Sequence, residues 1–155
     1  MSKPSLSIGR RTVLAALLAS TLATAAFGQS DTSNQGETNM RVRIDVNGKS
    51  LTAVLYDNPS ARDFASMLPL DLEVENYADN EKIAYLLRKL TGEGSGPFSN
   101  EAAGDLAYYA PWGNIIFYYA GYRYSSGLIR LGRIEGSMDP LLEHAEYNVH
   151  IELIP

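Results

Sequence analysis

Apolar and polar residues alternate strictly from position 41: Val42, Ile44 and Val46 stand against Arg41, Arg43 and Asp45. A period of two is the spacing of a strand with one buried face. Asn47-Gly48 follows, and a second apolar-rich run extends from Leu51 to Tyr56. The pattern predicts a β-hairpin, because Asn-Gly supplies the positive φ angles of a tight primed turn. Asn58 then precedes Pro59, an N-cap followed by proline at the first helical position. Ala61, Phe64, Ala65 and Leu68 recur at helical spacing, which predicts a short helix over 60–68. Alternation resumes with Leu68, Leu70, Leu72 and Val74 against Pro69, Asp71, Glu73 and Glu75, a half-buried strand with an acidic outer face.

Residues 81–90 admit two readings, since Ile83, Leu86, Leu87 and Leu90 also fit helical spacing. Residues 91–100 are rich in Gly, Ser and Pro and read as a loop. Strands are predicted over 106–109, 115–119 and 128–134, a helical turn opens at Asp139-Pro140 and runs to His144, and Tyr147, Val149, Ile151 and Leu153 alternate against Asn148, His150 and Glu152 as a last strand. Many short strands with two brief helices favour a closed barrel, which leaves no strand edge unpaired. Val42, Ile44, Leu70, Leu72, Ile116, Leu131, Val149 and Ile151 are expected in its interior. In Leu131-Gly132-Arg133-Ile134, alternation puts Leu131 and Arg133 on one face, and Gly132 permits close backbone approach.

The stretch from Gly104 to Ile134 holds eight of the chain's fifteen aromatic residues, set between Gly, Pro and Asn. Its wording, Gly104-Asp105-Leu106-Ala107-Tyr108-Tyr109-Ala110-Pro111-Trp112-Gly113-Asn114 and later Leu131-Gly132-Arg133-Ile134, together with Asn80-Glu81-Lys82-Ile83-Ala84-Tyr85-Leu86 upstream, resembles a family of small bacterial proteins with a cyclophilin-like β-barrel, most without assigned activity. The resemblance spans residues 40–155. It implies a mainly β fold, a closed barrel of about eight strands with two short helices, and it turns the reading of 82–86 toward a strand.

The N-terminus carries Lys3, Arg10 and Arg11, then an apolar run to Phe27 broken by small Ser and Thr residues, and the small residues 23–28. These are the three parts of an export signal. Arg10-Arg11-Thr12-Val13-Leu14 is similar to a twin-arginine signal. Residues 1–28 are therefore read as a signal peptide, 29–39, which lack any large apolar side chain, as a disordered tether, and 40–155 as one domain. The expected location is periplasmic or secreted. Loss of residues 1–28 removes three basic groups and no acid, leaving 10 basic against 18 acidic residues and a net charge of −8. Such a surface argues against nucleic acid and anionic membranes as partners. Cysteine is absent, which excludes disulfides and thiol chemistry.

Cyclophilin isomerises Xaa-Pro bonds with an arginine in a Phe-His-Arg context and a glutamine. Here no His-Arg pair occurs, and residues 40–155 contain no glutamine. Arg41, Arg43 and Arg133 are the arginines considered for an equivalent place. The Gly/Ser-rich run 92–97 lacks dinucleotide spacing and a following lysine. Glu143, His144 and His150 are the only grouping with metal-ligand character, read as exposed surface, and no metal or cofactor is expected. The aromatic block remains. Tyrosine joins an apolar ring to a polar tip, and Trp112, Tyr119, Tyr124 and Arg133 are the candidate lining of a shallow cleft for a peptide segment, small ligand or protein partner. Packing beneath the 121–127 loop is the alternative for the rings, and an ion pair with Asp105 or Glu135 the alternative for Arg133. The leading reading is a non-enzymatic exported binding domain. A peptidyl-prolyl isomerase and an accessory subunit of an exported redox enzyme are the other two.

Overall fold

A computed structural model describes residues 37–143 and 146–155. The signal peptide, most of the tether and His144 lie outside the described residues. Eight strands, β1 (Glu37–Val46), β2 (Lys49–Tyr56), β3 (Leu70–Tyr77), β4 (Glu81–Tyr85), β5 (Asp105–Tyr109), β6 (Asn114–Tyr118), β7 (Leu128–Glu135) and β8 (Tyr147–Ile154), are joined by helix α1 (Pro59–Ala65) and a 3-10 turn at Asp139–Leu141. They close into an antiparallel barrel in the order β1-β2-β7-β5-β6-β4-β3-β8, with β8 pairing back onto β1.

The first hairpin turns at Asn47 and Gly48, whose φ angles of 47° and 78° suit the tight connection between paired Val46 and Lys49. β1 begins at Glu37, which pairs with Tyr56, so the strand takes in the last three residues assigned to the tether. Backbone pairing needs no apolar side chain, so composition hides this extension. Asn58 caps α1, its Oδ1 accepting from the Ala61 N–H at 2.8 Å, while its Nδ2 donates to the Arg130 carbonyl at 2.9 Å and ties the cap to β7.

The barrel interior is filled by Val42, Ile44, Val46, Leu55, Leu70, Leu72, Val74, Ile115, Phe117, Leu131, Val149 and Ile151, all buried, with Phe64 of α1 among them. Ile116 departs from expectation. It is buried outside the barrel, with Ile83, Ala107, Tyr118 and Leu128, because Ile115 and Phe117 take the inward positions of β6. Every side chain of β6 is buried, so this sheet carries a second apolar layer on its outer face. The loop between β4 and β5 is fastened at several points: Asp63 accepts from the Thr91 N–H at 2.7 Å, Ser60 Oγ donates to the Thr91 carbonyl at 2.5 Å and the Tyr108 hydroxyl accepts from the Leu90 N–H at 3.1 Å. A hydrogen bond from Arg88 holds the Asp63 carboxyl below the usual range.

Candidate functional site

Cross-strand pairing sets out the outer face of β4, β6 and β5 in rows. Tyr85 pairs with Asn114 and Asn114 with Tyr109; Ile83 pairs with Ile116 and Ile116 with Ala107; Glu81 pairs with Tyr118. Side chains paired in this way share a face and lie within contact distance. The tight turn joining β5 to β6 lifts Trp112 above this surface at 46% exposure. Its ring meets Tyr77 at 5.2 Å and Tyr109 at 5.6 Å, at interplanar angles of 84° and 77°. Three rings meeting near right angles enclose a corner, and edge-to-face packing fixes each one.

A cavity of about 210 Å³ opens in that corner, lined by Tyr77, Tyr109, Trp112, Glu81, Asn114 and Tyr118 among others. It adjoins a second of about 500 Å³, which shares Tyr77, Ile83 and Trp112 and adds Glu75 and Tyr85. A third, of about 270 Å³, shares Glu75 and Tyr85 and adds Glu73 and Glu146. Together they form an elongated groove, aromatic at one end and acidic at the other. Among the described residues no lysine or arginine lines it.

Asn114 is the polar group at its floor. The side chain is 1% exposed, and neither Oδ1 nor Nδ2 has a hydrogen-bond partner. Each buried amide group left unmade costs about 1–3 kcal/mol. Two rows along the sheet, paired with Tyr118 at the other end of the same cavity, the Glu81 carboxyl is raised above its ordinary value by burial, against a hydrogen bond from Tyr118. Burial likewise raises the Tyr118 phenol, with the Glu81 charge second.

The four residues proposed from sequence do not meet. Trp112 lines the groove. Tyr119 lies just past β6, half-buried, its N–H donating to the Asn80 carbonyl at 3.0 Å. Tyr124 packs on the same outer apolar layer as Tyr109 but against Phe98, and Arg133 lies at the far end of β5. There Asp105 is fully buried, its Oδ2 accepting from the Tyr122 hydroxyl at 2.7 Å and the Ala102 N–H at 3.1 Å. Arg133 Nη1 stands 3.3 Å from its Oδ1, and Arg130 Nη1 3.6 Å from its Oδ2. Arg133 also donates to the Ala103 carbonyl and to Tyr56. The Arg130 guanidinium lies 4.3 Å from the Phe98 ring centre, and Phe98 packs edge-on against Tyr124 at 5.1 Å. Arg133 is thus a partner of Asp105 and not a member of the Trp112 cleft.

Leu131 and Arg133 do not share a face either. Pairing of β5 with β7 steps from Leu106 opposite Gly132 to Ala107 opposite Arg130, so Leu131 is an extra residue, a β-bulge. A bulge reverses the alternation beyond it. Leu131 points into the barrel, whereas Arg133 emerges beside Asp105. Gly132 lies so close to β2 that a Cβ there would sit 2.3 Å from the Val54 carbonyl oxygen.

Tyr77, Tyr109, Asn114, Glu75 and Glu81 stand outside the sequence-derived set. The signal for two of them was present as Asn114 following Trp112-Gly113 and as Tyr109 ending the outward row of β5; Tyr77 comes from a distant strand, and its approach depends on the barrel order. Among the described residues no three His, Asp or Glu side chains are placed to share a metal ion. Glu143 accepts from Asn47 Nδ2 at 2.7 Å, and His150 Nδ1 lies 2.7 Å from Asp71.

The profile of the Cyclophilin-like family matches residues 44–153, and the chain belongs to that family. Among solved structures it is similar to the solution structure of the hypothetical protein AF2241 from Archaeoglobus fulgidus, with a TM-score of 0.60, 23% identity, and coverage of 77% of this chain and 97% of the other. At that identity the likeness concerns the fold. No curated protein matches.

Proposed function

We propose that this cyclophilin-like domain is an exported peptide-binding module whose binding surface is the groove between Trp112 and Glu146. The observation that carries the reading is Asn114, a buried carboxamide with donor and acceptor both unpartnered at the floor of an aromatic cavity. A peptide unit presents the complementary pair, a C=O for Nδ2 and an N–H for Oδ1. Both amide atoms are covered in the free protein, so binding requires the side chains above Asn114 to part and then recovers hydrogen bonds the free protein forgoes, while Tyr and Trp rings supply contact area at low entropic cost. Three adjoining hollows that share lining residues favour an extended segment over a compact ligand. With no arginine in the lining, binding is the favoured reading over isomerisation.

Trp112 is the chain's only tryptophan, so its emission reports on this groove alone. Titration with a mixed library of capped hexapeptides is expected to give a saturable change in wild type and none in Asn114→Leu, which keeps the volume and loses the amide. A library that leaves Trp112 emission flat at millimolar concentration would sink the peptide reading. Export rests on residues 1–28: Arg10-Arg11→Lys-Lys is expected to retain the protein inside the cell, and normal accumulation outside would rule out the twin-arginine route.

A further inference from the structure

The same groove carries a charge signature, and on it, resting on the peptide-binding reading, we infer that the Tyr77, Trp112 and Tyr109 corner is a subsite for a basic side chain, so that the peptides taken are those with a lysine or arginine. Aromatic faces attract cations, most strongly when the site is desolvated. Elsewhere this protein already closes such contacts with its own cations. Arg130 lies 4.3 Å from the Phe98 ring centre and 6.0 Å from that of Tyr56, and Lys82 Nζ lies 5.3 Å from that of Tyr147. In the groove the rings are open and the cation is missing from the lining residues.

The charge around the corner has one sign. Glu81 lines the corner cavity and Glu75 the adjoining one, and Glu73 and Glu146 continue the acidic run. Lys89 is a nearby cation, its stem packing beside Gly113, but it is not among the residues lining the groove. The exported form's net charge of −8 adds a long-range attraction for basic segments. Asn114 gives the corner its second contact. A peptide whose backbone amide pairs with Asn114 places its side chain among the three rings, with Glu81 within the same cavity to receive the ammonium or guanidinium.

The test compares two capped pentapeptides, Ac-Ala-Ala-Lys-Ala-Ala-NH2 and the same peptide with norleucine for lysine, by titration of Trp112 emission. The lysine peptide is expected to bind about tenfold more tightly or better. The double variant Glu75→Gln, Glu81→Gln is expected to abolish the difference in affinity between the lysine and norleucine peptides. Equal affinities in wild type, or a preference for norleucine, overturn the cation subsite while the peptide reading stands. If neither peptide alters the emission, the peptide reading fails, and tetramethylammonium chloride becomes the deciding probe. Saturable quenching by that ion, lost in Tyr77→Leu, keeps the cation subsite; absence of quenching removes it.

Discussion

The two ends of β5 use the same ingredients in opposite ways. At the Asp105 end, buried polar groups, aromatic rings and cations meet and neutralise one another's charge, although Asp105 Oδ1 and Arg130 Nε make no hydrogen bond: one carboxylate faces two guanidinium groups, a phenol and a backbone N–H, and Phe98 covers Arg130. At the Asn114 end, roughly 13 Å away by strand rise, three rings and a buried amide surround a cavity, and the amide bonds to nothing. The contrast separates packing from recognition. An aromatic excess marks a candidate binding surface where the polar group beside it has neither a hydrogen bond nor a counter-charge within the chain.

The comparison breaks most visibly at Asp105. Asp105→Asn strips the counter-charge from Arg130, which is 4% exposed, and leaves a nearly uncompensated buried cation. Losses for such single-partner removals are about 3–5 kcal/mol, and the urea midpoint should fall accordingly. A midpoint within error of wild type would mean that water reaches Arg130 and that this end is no more closed than the other. Arg133→Met is milder, since its side chain is 42% exposed and its charge is partly screened. A loss of about 1 kcal/mol or less is expected, seen as a melting point a few degrees lower, with Trp112 emission titrations unaltered. Loss of peptide binding in that variant would join the two ends into one site. Asn114→Leu sharpens the contrast by its sign: replacing an unpartnered buried amide with an apolar side chain of similar size should leave stability unchanged or raise it by up to about 1 kcal/mol, even as binding disappears. Marked destabilisation would show that the amide has a structural partner.

Much of the barrel was legible because period-two alternation survives wherever one strand face meets water, as in β1, β3 and β8. It was least legible in β6, where Asn114 to Tyr118 is buried on both faces and the pattern cannot say which isoleucine points inward. Of the candidate cleft, Trp112 was named from the excess of aromatic residues in its block, and the structure places it on an exposed turn. Arg133 was misplaced because a bulge is invisible to counting by twos, and Tyr77 was missed because it reaches Trp112 only through the order of strands around the barrel. The amide of Asn114 looked like turn punctuation. Its role lies in what fails to approach it, and no local pattern encodes that.

The extra residue at Leu131 has a consequence for how this stretch of chain is to be compared or edited. Upstream of it, odd-numbered positions of β7 face the oil; downstream, even-numbered Ile134 does, opposite Ala53. The strand is written in two phases joined by one unpaired letter. Excising that letter while keeping Gly132-Arg133-Ile134 intact would leave Gly132 opposite Leu106 and Arg133 opposite Asp105, at the loss of the buried Leu131 side chain, whereas straightening the ladder with every letter kept would turn Arg133 inward and Ile134 outward.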